Sequence, residues 1–115
     1  MKNTTLVLQK ISNNPDKDTE KTLIIPACND AMHPKIKQGE FMFMEKVTNK
    51  SMIHEGMIYL IITNDYKIVR YIKKHENPDN LILQTESKNY DDVVIQWGQI
   101  SEMYLYKGKY SQSIN

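Results

Sequence analysis

Cysteine, glycine and blocks of like charge are nearly missing from this chain. Its 115 residues hold one cysteine, four glycines, four prolines, two phenylalanines and one tryptophan. A lone Cys28 rules out an internal disulfide, which fits a reducing compartment or an exported protein without crosslinks. A small buried hydrophobe is its expected role, ahead of a reactive thiol. So few glycines leave no glycine-rich phosphate loop. His33, His54 and His75 do not stand at metal-ligand spacing, and neither Cys-x-x-Cys nor His-Glu-x-x-His occurs, so no metal and no cofactor are expected. A net charge of +1 gives no overall field to draw in a polyanion. Lys73, Lys74 and His75 form only a short basic cluster, read as a solvated turn. With no helix-turn-helix pattern, direct DNA reading is not expected of this chain alone. The start, Met1-Lys2-Asn3-Thr4-Thr5-Leu6, has no apolar run fit for a signal peptide or membrane span, and a cytoplasmic protein without membrane contact is expected.

What is present reads as β. The length suits one domain able to bury a core. Leu6-Val7-Leu8 is a short candidate strand, and residues 11–21 are polar, contain Pro15 and read as a linker. From Thr22 onward, strands are predicted at Leu23-Ile24-Ile25, at Phe41-Met42-Phe43-Met44 and along Met57 to Thr63. Asn64-Asp65 supplies a hairpin turn to the next, Tyr66 to Ile72. Leu81 to Thr85, Val93-Val94-Ile95 and Ile100 to Tyr106 complete the series. Single helical turns are predicted at Ser51–Glu55 and around Met32–Lys37, where Pro34 fits a first turn. Trp97 before Gly98 reads as a core anchor. The division is an N-terminal strand and linker over 1–21, a β domain over 22–110 and a tail over 111–115.

The most specific segment is Ala27-Cys28-Asn29-Asp30-Ala31-Met32-His33-Pro34-Lys35-Ile36-Lys37-Gln38-Gly39-Glu40. Its Asp-x-Met-x-Pro spacing, followed by Ile36 and Gly39-Glu40, resembles the nucleophile loop of LexA-like self-cleaving repressors and signal peptidases. In that family the run is Gly-Asp-Ser-Met-x-Pro, then Ile and Gly-Asp. The resemblance spans roughly Thr22 to Tyr106. It continues through Gly56-Met57-Ile58-Tyr59, which looks like the family's Gly-x-x-Tyr opening, and through Leu83 to Tyr90, which resembles its Asn-Pro-x-Tyr strand and turn without the proline. The fold it implies is mainly β: short, largely antiparallel strands in a partly open barrel.

The chemistry implied by the resemblance is a serine attacking a peptide carbonyl, a neutral lysine as base, and backbone N–H groups holding the oxyanion. Ala31 stands at the serine position, and a methyl group neither attacks nor donates. Removing the nucleophile of a serine protease costs roughly 10⁶ in turnover. Arg70, in Val69-Arg70-Tyr71-Ile72, stands at the lysine position, and its pKa stays above about 12. Lys67 and Lys73, three positions away, fall on the opposite strand face. Asn29 replaces the family's glycine, a mild change because asparagine tolerates left-handed angles. Asp30 reads as a turn cap, and an ion pair from Arg70 to Asp30 or Glu86 is open. Ser51, Ser87 and Ser101 are poor candidates for a relocated nucleophile. The chain contains neither Ala-Gly nor Cys-Gly, the bonds that self-cleaving members cut.

The resemblance therefore implies a vestigial site at Asn29, Asp30, Ala31, Met32, Pro34 and Arg70 with no catalytic residue. The leading expectation is an inactive peptidase-like domain of a phage-repressor-type transcriptional regulator, acting in dimerisation or in peptide or protein binding. DNA would be reached only through a separate domain. Met103-Tyr104-Leu105-Tyr106, apolar on both faces, is expected to be a homodimer edge. Two alternatives stand: an active self-cleaving serine peptidase with a non-standard dyad, and an unrelated β-barrel adaptor.

Overall fold

The computed structural model describes residues 22–111. The candidate strand Leu6-Val7-Leu8, the linker over 11–21 and the tail beyond Ser111 lie outside the described residues. Seven strands form one sheet: β1 (Thr22–Pro26), β2 (Phe41–Lys46), β3 (Ile58–Thr63), β4 (Lys67–Lys74), β5 (Asn80–Gln84), β6 (Val93–Gln96) and β7 (Ile100–Tyr110). Their order is β1-β2-β7-β3-β4-β5-β6, and every neighbouring pair is antiparallel. The sheet is mainly β as expected, and it stays open, with β1 and β6 at its ends. Short 3-10 turns occupy Lys50–Met52 and Trp97–Gln99. Among the described residues no helix is long and apolar enough to cross a membrane.

The core lies on both faces of the sheet, which explains the unbroken apolar run of β3. A strand covered on both sides does not alternate. Ile58 and Leu60 pack on one face with Ile25, Met42, Met44 and Tyr104. Tyr59 and Ile61 pack on the other with Ile72, Leu81, Leu83 and Ile95. The Tyr59 hydroxyl donates to the Met52 carbonyl at 2.6 Å and accepts from the His54 amide at 2.8 Å, so this fully buried phenol has its partners. Trp97 is half-buried and packs against this second cluster.

Several expectations are corrected. Met103 to Tyr106 are not an edge: β7 runs between β2 and β3, with Met44 opposite Tyr106 and Tyr59 opposite Leu105. The run is apolar on both faces because it is central, so the dimer edge proposed there does not exist in this fold. Cys28 is exposed rather than buried. No helix forms around Met32–Lys37; the segment is a run of turns, with bonds from the His33 amide to the Asp30 carbonyl and from the Ile36 amide to the Met32 carbonyl. The other expected turn is a 3-10 turn shifted to Lys50–Met52, capped by the Asn49 side chain.

Two glycines set up the site. Gly39 (φ 92°) and Gly56 (φ 90°) hold left-handed turns just before β2 and β3, a conformation that a side chain strains. Their amides bond to Ala27 and Ile72 carbonyls at 2.9 Å each. Gly39 thereby closes the loop from β1 to β2, and Gly56 fixes the start of β3 against the end of β4.

Candidate functional site

The loop from Ala27 to Glu40 folds back onto one face of the sheet because two of its apolar side chains are buried there. Met32 and Ile36 pack with Ile25, Met42 and Leu60. Burying two such side chains is worth roughly 3–6 kcal/mol in apolar transfer. The base of the loop is closed by the Ala27 amide on the Glu40 carbonyl at 2.8 Å. Glu40 then gathers donors from three places: the Lys37 amide at 2.7 Å, Lys109 Nζ at 3.1 Å and Ser111 Oγ at 2.6 Å. These bonds, the Ser111 hydroxyl foremost, hold its carboxyl down at about 2.

Ala31 is fully buried, and both of its backbone polar groups are engaged. Its amide donates to Asn29 Oδ1 at 3.0 Å, and its carbonyl accepts from the Ser87 amide at 3.0 Å. Asn29 is thus present for its side-chain acceptor and not for a left-handed backbone, since no non-glycine residue among those described has positive φ. The capping role expected of Asp30 belongs to Asn29. Asp30 instead accepts the Tyr90 hydroxyl at 2.6 Å, which raises the Tyr90 pKa.

A cleft of about 350 Å³ opens beside this loop. Asn29 and Met32 line it, with Ile25, Pro26, Ala27 and Cys28 on the same side. Ile36, Met42 and Leu60 also contribute, and consecutive residues Lys67 to Arg70 of β4 complete the lining. Consecutive residues line a wall only when a strand presents its edge. The pairing explains why: β5 meets β4 only from Tyr71 to Lys74, and the chain leaves after Gln84 to cross towards Ala31 and Asp30 through Ser87 and Tyr90. Among the described residues, Ile68 to Arg70 therefore have a strand partner, β3, on one side only.

Which edge groups face the cleft follows from the ladder. The Thr63 amide bonds the Tyr66 carbonyl, and the Ile72 amide bonds the Met57 carbonyl. In an antiparallel pair, hydrogen-bonded positions recur every second residue. Ile68 and Arg70 therefore direct their N–H and C=O groups towards β3, and Lys67 and Val69 direct theirs outward.

Arg70 lies opposite Tyr59 and so leaves the sheet on the face away from the loop. It turns along the strand edge: its guanidinium carbon sits 5.9 Å from the Tyr90 ring centroid, and Nη1 donates to the outward Val69 carbonyl at 2.8 Å. Its Nε is buried without an acceptor. Burial lowers its pKa, yet an arginine remains cationic. The ion pairs open to it are not formed. Tyr90 stands between Arg70 and Asp30, and Glu86 is taken by the Tyr71 hydroxyl, whose pKa is pushed up to about 12 by burial and by that bond.

Of the sequence-derived site residues, Asn29, Met32 and Arg70 share the cleft wall. Asp30 is linked to Arg70 through Tyr90, and Ala31 and Pro34 are not part of the lining. Lys67 falls on the other strand face from Arg70, as the register requires, but lines the same cleft because the cleft follows the strand edge. Sequence reasoning missed that open edge, the Asn29 acceptor and the Tyr90 link. A return strand read two residues longer than its following partner was the available signal for the edge. Among the described residues no group of three or more His, Cys, Asp and Glu side chains is placed to hold a metal.

A comparison with curated proteins gave no match. The Peptidase S24-like family model matches residues 3–103, nearly the whole chain, and the mainly β architecture is consistent with such a domain. The chain belongs to the Peptidase S24-like family.

Proposed function

We propose that this chain is a non-cleaving member of its family that binds an extended peptide in the cleft between the Ala27–Glu40 loop and the free edge of β4. Family membership fixes the fold and not the chemistry. The observation that carries the reading is the state of position 31: a buried methyl group whose amide is already accepted by Asn29 Oδ1. The nucleophile is missing, and a donor that an oxyanion would need is occupied. Arg70 adds a third loss, since a guanidinium does not act as a neutral base.

Binding needs less than cutting. It requires an apolar floor, here Met32, Met42 and Leu60, and outward strand groups without a strand partner among the described residues, here the N–H of Val69 and its C=O, which only the Arg70 side chain covers. Within a repressor-type regulator, such a cleft would hold a segment of another protein or of a second copy.

A fluorophosphonate probe tests the inactive half of the proposal. Wild-type protein is expected to remain unlabelled. Stoichiometric labelling of the wild type would overturn the reading in favour of a peptidase with a different dyad.

A further inference from the structure

We propose that the cleft selects an extended segment in which an acidic residue sits next to an apolar one, with the acid paired to Arg70. This rests on the peptide-binding reading above and adds the class of ligand. The starting point is the present engagement of Arg70. Its Nη1 covers the Val69 carbonyl, and that carbonyl points out of the sheet where an added strand would bring an N–H. The same guanidinium holds a buried Nε with no acceptor.

An incoming strand changes this arrangement in a defined way. Its amide takes the Val69 carbonyl and displaces Nη1. Arg70 is then left with the unaccepted Nε–H, which lies beside Nη2 on one edge of the planar group. A carboxylate accepts such a pair in a bidentate fork. A lysine or arginine of the ligand would instead place like charge against a desolvated guanidinium.

Charge on the cleft walls agrees. Among the described residues the lining includes Arg70 and no carboxylate. Asp30, the nearest acid of the loop, already accepts the Tyr90 hydroxyl. Among the described residues Arg70 makes no ion pair.

Register places the two ligand side chains. A residue opposite Val69 points to the same face as Val69, where Leu60 and Met32 form an apolar floor. Its neighbour opposite Arg70 points to the other face, where the guanidinium begins. An antiparallel ligand thus carries the acid immediately before the apolar residue.

Three fluorescein-labelled peptides of sequence Thr-Val-Thr-X-Leu-Thr-Val-Thr, with X as Glu, Gln or Lys, test this by fluorescence anisotropy on the full chain. Wild-type protein is expected to bind the Glu peptide about tenfold or more tighter than the Lys peptide, with Gln between. Arg70→Glu is expected to reverse the order. Arg70→Gln, the milder change, is expected to flatten it, and thermal melting of both variants reports their folding. Equal affinities for the three on wild type, or a Glu preference that survives Arg70→Gln, would overturn the acidic preference and leave peptide binding standing. If none of the three binds, peptide binding fails, and the acidic preference fails with it.

Discussion

By the family resemblance Asn29 stands where a glycine is expected, and its side chain engages the amide of position 31. With glycine, the position-31 amide would be free to face an incoming carbonyl oxygen. With asparagine, Oδ1 takes that amide in a two-residue side-chain turn. Asn29→Gly is therefore expected to destabilise the protein by about 0.5–1.5 kcal/mol, the usual net worth of one such bond, readable as a lower urea midpoint at unchanged slope. An unchanged midpoint would mean the bond is not maintained in solution. Ala31 has a complementary constraint. Its side chain is fully buried, so Ala31→Leu is expected to cost about 1–3 kcal/mol by overpacking, whereas Ala31→Ser adds one atom and mainly a hydroxyl that must find a partner. Thermal melts of the two variants check this, and equal melting temperatures would contradict it. That Ala31 stands at the serine position was legible only as what the family resemblance implies, carried by Asp30, Met32, Pro34 and Gly39. The partners of Asn29 and Asp30 were not, because both residue types cap turns and only the three-dimensional path of Tyr90 decides which does.

Strand β4 does two jobs along its length. From Tyr71 to Lys74 it pairs with β5, and among the described residues Ile68 to Arg70 have β3 as their one strand partner. Proline separates the inward from the outward groups. Val69→Pro removes an outward N–H and leaves the β3 ladder intact, a position where a strand tolerates proline. Ile68→Pro removes an inward N–H and leaves the Ile61 carbonyl without its donor in a fully buried strand segment, at about 1–3 kcal/mol before any loss of packing. Val69→Pro is expected to melt well above Ile68→Pro while losing most of its peptide affinity. Wild-type affinity in a folded Val69→Pro protein would show that the ligand does not add to this edge. At this scale the sequence was clear about where strands lie, since β-branched and aromatic runs bounded by Asn64-Asp65 and Pro78-Asp79 leave little choice. Their order in the sheet was not legible. The apolar run of β7 fits a central strand and an unpaired edge equally well, and only pairing with β2 and β3 distinguishes them.

Across the whole molecule, the end of the described chain after β7 returns to the loop that follows β1. Glu40, at the end of the loop after β1, binds Lys109 and Ser111, at the end of β7. Lys109 also donates to the Lys35 carbonyl at 2.8 Å, so the last strand braces the loop at two points. The carboxylate form of Glu40 is the one that accepts these bonds, and its folded pKa of about 2 lies below the ordinary value of 4.5. A lowered folded pKa means that the unfolded chain takes up the proton first as pH falls. The contribution of Glu40 is therefore complete above about pH 5, declines from 4.5 downward and is gone once pH passes below about 2. Glu40→Gln removes this dependence, because an amide does not titrate in that window. Wild type is expected to melt above Glu40→Gln at pH 7, and the gap is expected to narrow steadily between pH 5 and pH 2 while both proteins lose stability from their other acids. Added salt should shrink the gap at pH 7 only in part, because the Lys37 amide and the Ser111 hydroxyl are not screened as the Lys109 charge is. A gap that stays constant from pH 7 to pH 2 would show that Glu40 acts by shape alone and that the loop is not held by its charge.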